Sequence, residues 1–156
     1  MTNTNDWDTT WGTIDWKNAT QEEILKKTND LINTGANPNA ADENGLTPLM
    51  YAVSRDGVSV VEALIDGGAD VNAQDKVGNT ALMRMALLSR FGICRAYPAI
   101  AKVLIENGAD INIKNYYGRR AINMAKKSEV RNLVRNARPD PVKVILHKVK
   151  TVRQYQ

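Results

Sequence analysis

Apolar residues recur at helical spacing in short segments along the chain, which predicts short amphipathic helices rather than strands. The first such segment is preceded by Thr20 and Glu23, a pair that matches a helix N-terminal capping box. It is followed by Gly35, which suits the left-handed cap at a helix end. The apolar positions that define the segments are Ile24, Leu25, Leu31 and Ile32; Val60, Val61, Leu64 and Ile65; Val130, Leu133 and Val134; and Val142, Ile145, Leu146, Val149 and Val152.

The stretch from Asp42 to Gln74 recurs further along the chain. Its first part, DENGLTPLM, returns as DKVGNTALM from Asp75, which lies 33 residues after Asp42. It returns again as NYYGRRAIN from Asn115, which lies 40 residues after Asp75. Its second part, LIDGGADVNA, returns as LIENGADINI and has an earlier counterpart in LINTGANPNA. Several copies in the same order indicate a repeat protein.

The repeat resembles the ankyrin family, whose unit of about 33 residues combines a β-turn with two helices around the motif T-P-L-H-x-A. The segment 47–52, TPLMYA, matches that motif except for Met50 in place of His. The resemblance covers residues 20–136 and implies an all-α solenoid of about four helix-turn-helix repeats, the first and last atypical. We divide the chain into a Trp-rich N-terminal cap (1–19), the repeats (20–137) and a basic C-terminal tail or capping helix (138–156).

The N-terminal segment holds all three tryptophans, Trp7, Trp11 and Trp16. One interpretation is a lid on the first repeat, because the end of a solenoid exposes an apolar face that must be covered. The other is an aromatic arm that binds a partner. We favour the lid, since burial of three rings contributes too much stability for all of them to remain exposed.

The C-terminal segment is strongly basic. From Arg119 onward there are eleven Lys and Arg residues against Glu129 and Asp140, whereas the preceding residues carry ten basic and fifteen acidic side chains. Such an end can bind anions or form a solvated face. The tail fits a helix that closes the C-terminal end of the solenoid, although its β-branched residues also fit a strand; we favour the helix.

The third repeat contains seven extra residues, which fall between its two helices within residues 87–99. Insertions in repeat proteins map to loops, often on a binding face. This one carries Arg90, Phe91, Arg95 and Tyr97, residue types that are enriched at interface hot spots. A lengthened helix that packs its own Phe and Tyr is an equally good interpretation.

The sequence carries no recognisable catalytic, cofactor or metal site. His147 is the only histidine and Cys94 the only cysteine, and no zinc-binding or phosphate-loop motif is present. We therefore expect a non-enzymatic protein without cofactors. The chain has neither a signal peptide pattern at its N-terminus nor an apolar run of about 18 residues, so we expect a cytoplasmic protein. Export by a route without a signal peptide stays open.

The resemblance implies a binding function, because ankyrin repeats usually bind other proteins through finger tips and the exposed face of their first helices. Tyr116, Tyr117 and Arg119 form the most unusual of these tips. Carried over position by position, the contact residues are Glu43, Asn44, Leu46, Ser54 and Arg55 in repeat two; Lys76, Val77, Asn79, Leu87 and Leu88 in repeat three; and Tyr116, Tyr117, Arg119, Lys127 and Ser128 in repeat four.

Two function classes follow from these patterns. The first is a protein-interaction module, an adaptor, effector or inhibitor, that is monomeric on its own and binds a protein partner through the concave face. The alternative is an electrostatic binder of nucleic acid or anionic membrane that uses the basic C-terminal end. Phosphate binding weakens steeply with salt, so salt dependence separates the two classes.

Overall fold

The structure, a computed structural model, describes residues 7–91, 96–125, 128–138, 141–142, 144–146 and 149. These residues form helices and turns and include no strand, which confirms the all-helical prediction. Short 3-10 turns lie at Trp11–Thr13 and Ser89–Phe91. The α-helices are α1 (Gln21–Asn33), α2 (Pro48–Ser54), α3 (Val58–Asp66), α4 (Ala81–Leu88), α5 (Tyr97–Glu106), α6 (Ala121–Met124) and α7 (Ser128–Arg135).

The helices pack in two layers. In repeats two, three and four the first and second helices pair as α2 with α3, α4 with α5, and α6 with α7. Helices α2, α4 and α6 pack in sequence to form the first-helix layer, and α1, α3, α5 and α7 form the second-helix layer. Each repeat therefore contacts its neighbours, which is the arrangement of a solenoid.

The start of each first helix is fixed by the residue that precedes it. The Thr47 hydroxyl accepts a hydrogen bond from the Met50 N–H at 3.4 Å, and the Thr80 hydroxyl accepts one from the Met83 N–H at 3.3 Å. Repeat four has Arg120 at this position, where no hydroxyl can accept. Its helix α6 is only four residues long, so the absence of a capping hydroxyl coincides with a short helix.

The tryptophan segment is folded against the first repeat. Trp7, Trp11 and Trp16 are all buried, and the rings of Trp7 and Trp16 lie 5.3 and 5.4 Å from that of Tyr51. The Trp11 indole N–H donates to the Asn37 carbonyl at 2.7 Å. Burial of all three rings is the arrangement that the lid interpretation requires, and it leaves no free aromatic arm within residues 7–16.

The described positions of the tail, 141–142, 144–146 and 149, are helical, as we favoured over a strand. The expectation that its apolar stripe closes the solenoid is wrong for the described residues. Val142, Ile145, Leu146 and Val149 are exposed, and only Val144 is half-buried, beside Gly108. Helical periodicity identifies the stripe, but its described side chains face solvent.

The core between the layers gives the first testable prediction. Leu64 in α3 and Leu104 in α5 occupy equivalent positions and are fully buried. Each substitution to Ala should lower the free energy of unfolding by about 2–5 kcal/mol, because tightly packed neighbours cannot fill the cavity. Urea unfolding measures this loss.

A leucine on the surface provides the matched control. Leu87 in α4 is exposed, so Leu87→Ala should change the free energy of unfolding by no more than about 0.5 kcal/mol. Equal losses at all three positions would show that the assignment of the core is wrong.

Candidate protein-interaction surface

Each repeat presents a tight turn before its first helix, and we call the turns 42–46, 75–79 and 115–119 the fingers. Each begins with Asp42, Asp75 or Asn115. In every finger one side-chain oxygen of that residue accepts hydrogen bonds from the N–H groups two and four positions later, at 2.8–3.0 Å. These recurring polar residues therefore shape turns, as their repetition predicts.

The fingers are also bonded to one another. The Lys76 N–H donates to the Asn44 carbonyl at 3.1 Å, and the Tyr116 N–H donates to the Val77 carbonyl at 3.1 Å. The Asn115 side-chain amide donates to the Asn79 side-chain oxygen at 2.9 Å. The tips consequently form one continuous row of backbone-linked turns, which we call the finger row.

Gly78 shows how closely the fingers approach. Its φ is +80°, and a Cβ atom added there would lie 2.8 Å from the Tyr116 ring. Only glycine suits both the left-handed backbone and the missing space. The Tyr116 ring therefore lies directly on the preceding finger while 75% of the residue stays exposed.

The second carboxylate oxygens hold the first-helix layer to the fingers. Asp42 accepts a hydrogen bond from the Tyr51 hydroxyl at 2.8 Å, and Asp75 forms a 3.1 Å salt bridge with Arg84. Burial and the hydrogen bond to Asp42 raise the pKa of Tyr51 to about 12, so the phenol stays neutral. Asn115 has no carboxylate, and position 124, which corresponds to Tyr51 and Arg84, is Met.

Most of the predicted contact residues lie on the surface. Phe91 is 67% exposed, Tyr117 is 72% exposed, and Leu46 and Arg55 are half-buried. Arg95, Lys127 and Cys94 lie outside the described residues, as do His147 and the side chain of Arg90. The remaining exposed candidates are Glu43, Asn44, Ser54, Lys76, Val77, Leu87, Tyr116, Arg119 and Ser128, and Leu88 is half-buried.

Two of the predicted contact residues are buried. Asn79 is only 9% exposed, and its side-chain oxygen is already used by the amide of Asn115. Tyr97 is only 2% exposed at the first position of α5, so its ring belongs to the core. The insertion thus combines both interpretations, because it packs Tyr97 inward and leaves Phe91 in solvent.

Two exposed cations beside the finger of repeat four were not among the predicted contact residues. Lys114 directly precedes Asn115, and Arg120 follows Arg119; both are exposed. The signal that identifies both is local charge, since residues 111–120 contain three basic and no acidic side chains.

Neither a metal centre nor a membrane-spanning helix is present in the described part of the chain. No three His, Cys, Asp or Glu side chains converge there in a way that could hold a metal ion. None of the described helices has the length and apolar character needed to cross a membrane.

Residues 18–115 match the family model for ankyrin repeats in three copies, which is more than half of the sequence. The chain belongs to the ankyrin repeat family. Members of this family generally act in protein-protein interaction and are typically not enzymes. The predicted family and solenoid architecture are thereby confirmed.

Two known proteins illustrate the similarity. The ankyrin repeat protein FPV223 of Fowlpox virus (strain NVSL) is 36% identical over 52 residues, which is 33% of this chain and 37% of the viral protein. The crystal structure of the ankyrin repeat domain of Bcl-3, a unique member of the IkappaB protein family, superposes with a TM-score of 0.61 at 26% identity. That match covers 80% of this ankyrin chain but 57% of the Bcl-3 chain. The chain therefore spans only part of either relative.

The finger geometry gives the second prediction. Asp75 is buried, so Asp75→Ala leaves two turn N–H groups and Arg84 without their acceptor. The free energy of unfolding should fall by about 1–3 kcal/mol in urea unfolding.

Asp75→Asn is the matched variant, because Asn115 makes the same turn hydrogen bonds in the next finger. It removes only the charge that pairs with Arg84, so it should cost less than half as much as the Ala substitution. Equal costs would show that the salt bridge, and not the turn, carries the stabilisation.

Proposed function

We propose that this ankyrin protein is a non-enzymatic interaction module that holds a protein partner on the finger row and the adjoining face of the first-helix layer. Tyr116, Tyr117 and Arg119 form one edge of the contact. Such a module serves as an adaptor, effector or inhibitor of its partner, and it acts as a monomer.

The observation that carries this proposal is the pair of exposed tyrosines on a rigid turn. Tyr116 and Tyr117 are 75% and 72% exposed, although their backbone N–H groups are held by Val77 and Asn115. A tyrosine on a fixed backbone offers a large contact area and a hydroxyl at low entropic cost. Because the turn is already ordered before the partner binds, less conformational entropy is lost on binding, which favours affinity.

Further exposed apolar residues lie on the finger of repeat three and at the end of its first helix. Val77 neighbours Tyr116 through their shared backbone hydrogen bond, and Leu87 and Phe91 lie at the end of the first helix of repeat three. Exposed apolar side chains are typical of an interaction surface where they form a contiguous patch.

The third prediction tests the tyrosine pair. The partner is captured from the native host with the intact protein, identified by mass spectrometry and purified for calorimetric titration. Combined Tyr116→Ala and Tyr117→Ala should weaken binding about thirtyfold or more, which corresponds to about 2 kcal/mol. The midpoint of urea unfolding should stay nearly unchanged, since both residues are mostly exposed.

Two further variants control this experiment. Conversion of both residues to Phe keeps the rings and should retain most of the affinity. Lys102→Ala changes an exposed residue of α5, in the other layer, and should leave binding unchanged. Retained affinity together with a lower unfolding midpoint in the Ala variant would assign the tyrosines a structural role.

A second candidate function, binding of an anionic lipid surface by the tail, is favoured by one observation. Val142, Ile145, Leu146 and Val149 form an exposed helical stripe at spacings of three and four residues. The sequence from residue 141 to 156 adds four Lys and Arg residues and no acidic one. An apolar stripe flanked by cations suits the interface of an anionic membrane. Nucleic acid would use the cations but not the stripe.

The fourth prediction tests the tail with phosphatidylcholine vesicles that contain or lack phosphatidylserine. The protein should sediment with the anionic vesicles, and Ile145→Ser with Leu146→Ser should remove most of the bound fraction. Val77→Ser, an exposed apolar residue of a finger, is the matched control. Equal sedimentation with both vesicle types would contradict this function.

A further inference from the structure

Exposed cations lie on or directly beside the fingers of repeats three and four. Lys76, Lys114, Arg119 and Arg120 are exposed and form no ion pair with any described carboxylate. We call these four residues the cationic tip. Lys76 and Tyr116 lie on neighbouring fingers that share a backbone hydrogen bond, and Arg119 is in the same turn as the tyrosine pair.

Within the described residues, the acidic residues nearest in sequence form no ion pair with these four cations. Asp75 is buried, accepts two turn N–H groups and pairs with Arg84. Asp110 is exposed, and one of its oxygens accepts the N–H of Asn112. Residues 111–128 contain no Asp or Glu at all. Lys114, Arg119 and Arg120 therefore have no acidic residue within this stretch to offset their charge.

The finger of repeat two carries negative charge instead. Its tip carries the exposed carboxylate of Glu43, and its turn is built on Asp42. The charge of the finger row therefore changes sign between repeat two and repeats three and four. A partner that lies along this row meets negative charge at one end and positive charge around the tyrosines at the other.

We infer that the partner segment that contacts the tyrosine pair is an acidic stretch of protein, whose carboxylates pair with the cationic tip. This inference rests on the proposed function. Contact with a neutral segment would desolvate several cations without compensation, which is costly. Carboxylates placed opposite these cations remove that cost and also direct the approach of the partner.

The charge distribution favours a short acidic protein segment over a nucleic acid. Residues 1–118 carry ten basic and fifteen acidic side chains, so the body that surrounds the fingers repels a long polyanion. A phosphate backbone that continued along the finger row would also meet Glu43. A peptide can place its carboxylates at the cationic tip and neutral residues elsewhere.

The test is a selection of short random peptides displayed on phage against the intact protein, followed by fluorescence anisotropy with the enriched peptides. These peptides should carry net negative charge, and their binding should depend on Tyr116 and Tyr117. Charge reversal by Lys76→Glu with Arg119→Glu should weaken binding by about tenfold or more. The matched variant Lys76→Gln with Arg119→Gln should have a smaller effect, and Lys102→Glu on α5 should have none.

A swapped peptide, in which Lys replaces each acidic residue, should bind the charge-reversed protein better than the original protein. This rescue separates direct pairing from damage to the fold, since a misfolded variant would bind neither peptide.

The outcomes distinguish the two proposals. Peptides that depend on the tyrosines but are neutral or basic would overturn the acidic partner and leave the interaction surface in place. Failure to select peptides, or peptides that ignore the tyrosine substitutions, would overturn both. Tighter binding of a single-stranded oligonucleotide, with the same dependence on Tyr116 and Tyr117, would replace the protein partner with nucleic acid.

Discussion

The geometry of the finger row depends on one side-chain oxygen per repeat that accepts two backbone N–H groups of its own turn. Asp42, Asp75 and Asn115 all supply this oxygen. The turn N–H groups would otherwise lie beside the next finger without an acceptor, which is costly wherever water is excluded. Because the same bonds recur, successive turns have the same shape and stack with direct backbone hydrogen bonds between them.

The two ends of the solenoid meet different physical requirements. At the N-terminal end the rings of Trp7 and Trp16 pack on Tyr51, whose hydroxyl is bonded to Asp42. The tryptophan segment is therefore connected to the first complete finger. At the C-terminal end α6 is short and the described tail exposes its apolar stripe. Aromatic packing thus covers the start of the array, and exposed apolar side chains lie at its end.

The family, the helices and most of the turns are predictable from the sequence because they arise from local rules that repeat. Asp42 and Thr47 recur at fixed spacing, so their hydrogen bonds follow from pattern alone. The exposure of one side chain depends instead on its neighbour. Asn79 corresponds to Leu46 and Arg119 in the other fingers, yet it is buried because the amide of Asn115 reaches it.

Residues outside the repeat pattern are predicted less well. The insertion has no periodicity that indicates which side of it packs, so the burial of Tyr97 and the exposure of Phe91 required the structure. In the tail the apolar spacing correctly indicates a helix, but spacing alone does not identify what covers the stripe. The exposure of Tyr116 and Tyr117 was predictable, since they occupy tip positions of a turn that the repeats define.

The proposed binding edge arises from a small departure in the last finger. Asn115 stands where the earlier fingers have Asp, and it keeps the acceptor oxygen that the turn requires. The substitution removes one carboxylate from the vicinity of Arg119 and frees an amide that donates to Asn79. The same change therefore links the finger of repeat four to that of repeat three, and within the described residues Arg119 forms no ion pair. A turn that is both rigid and electrostatically unsatisfied is suited to complete its charge pairing with another molecule.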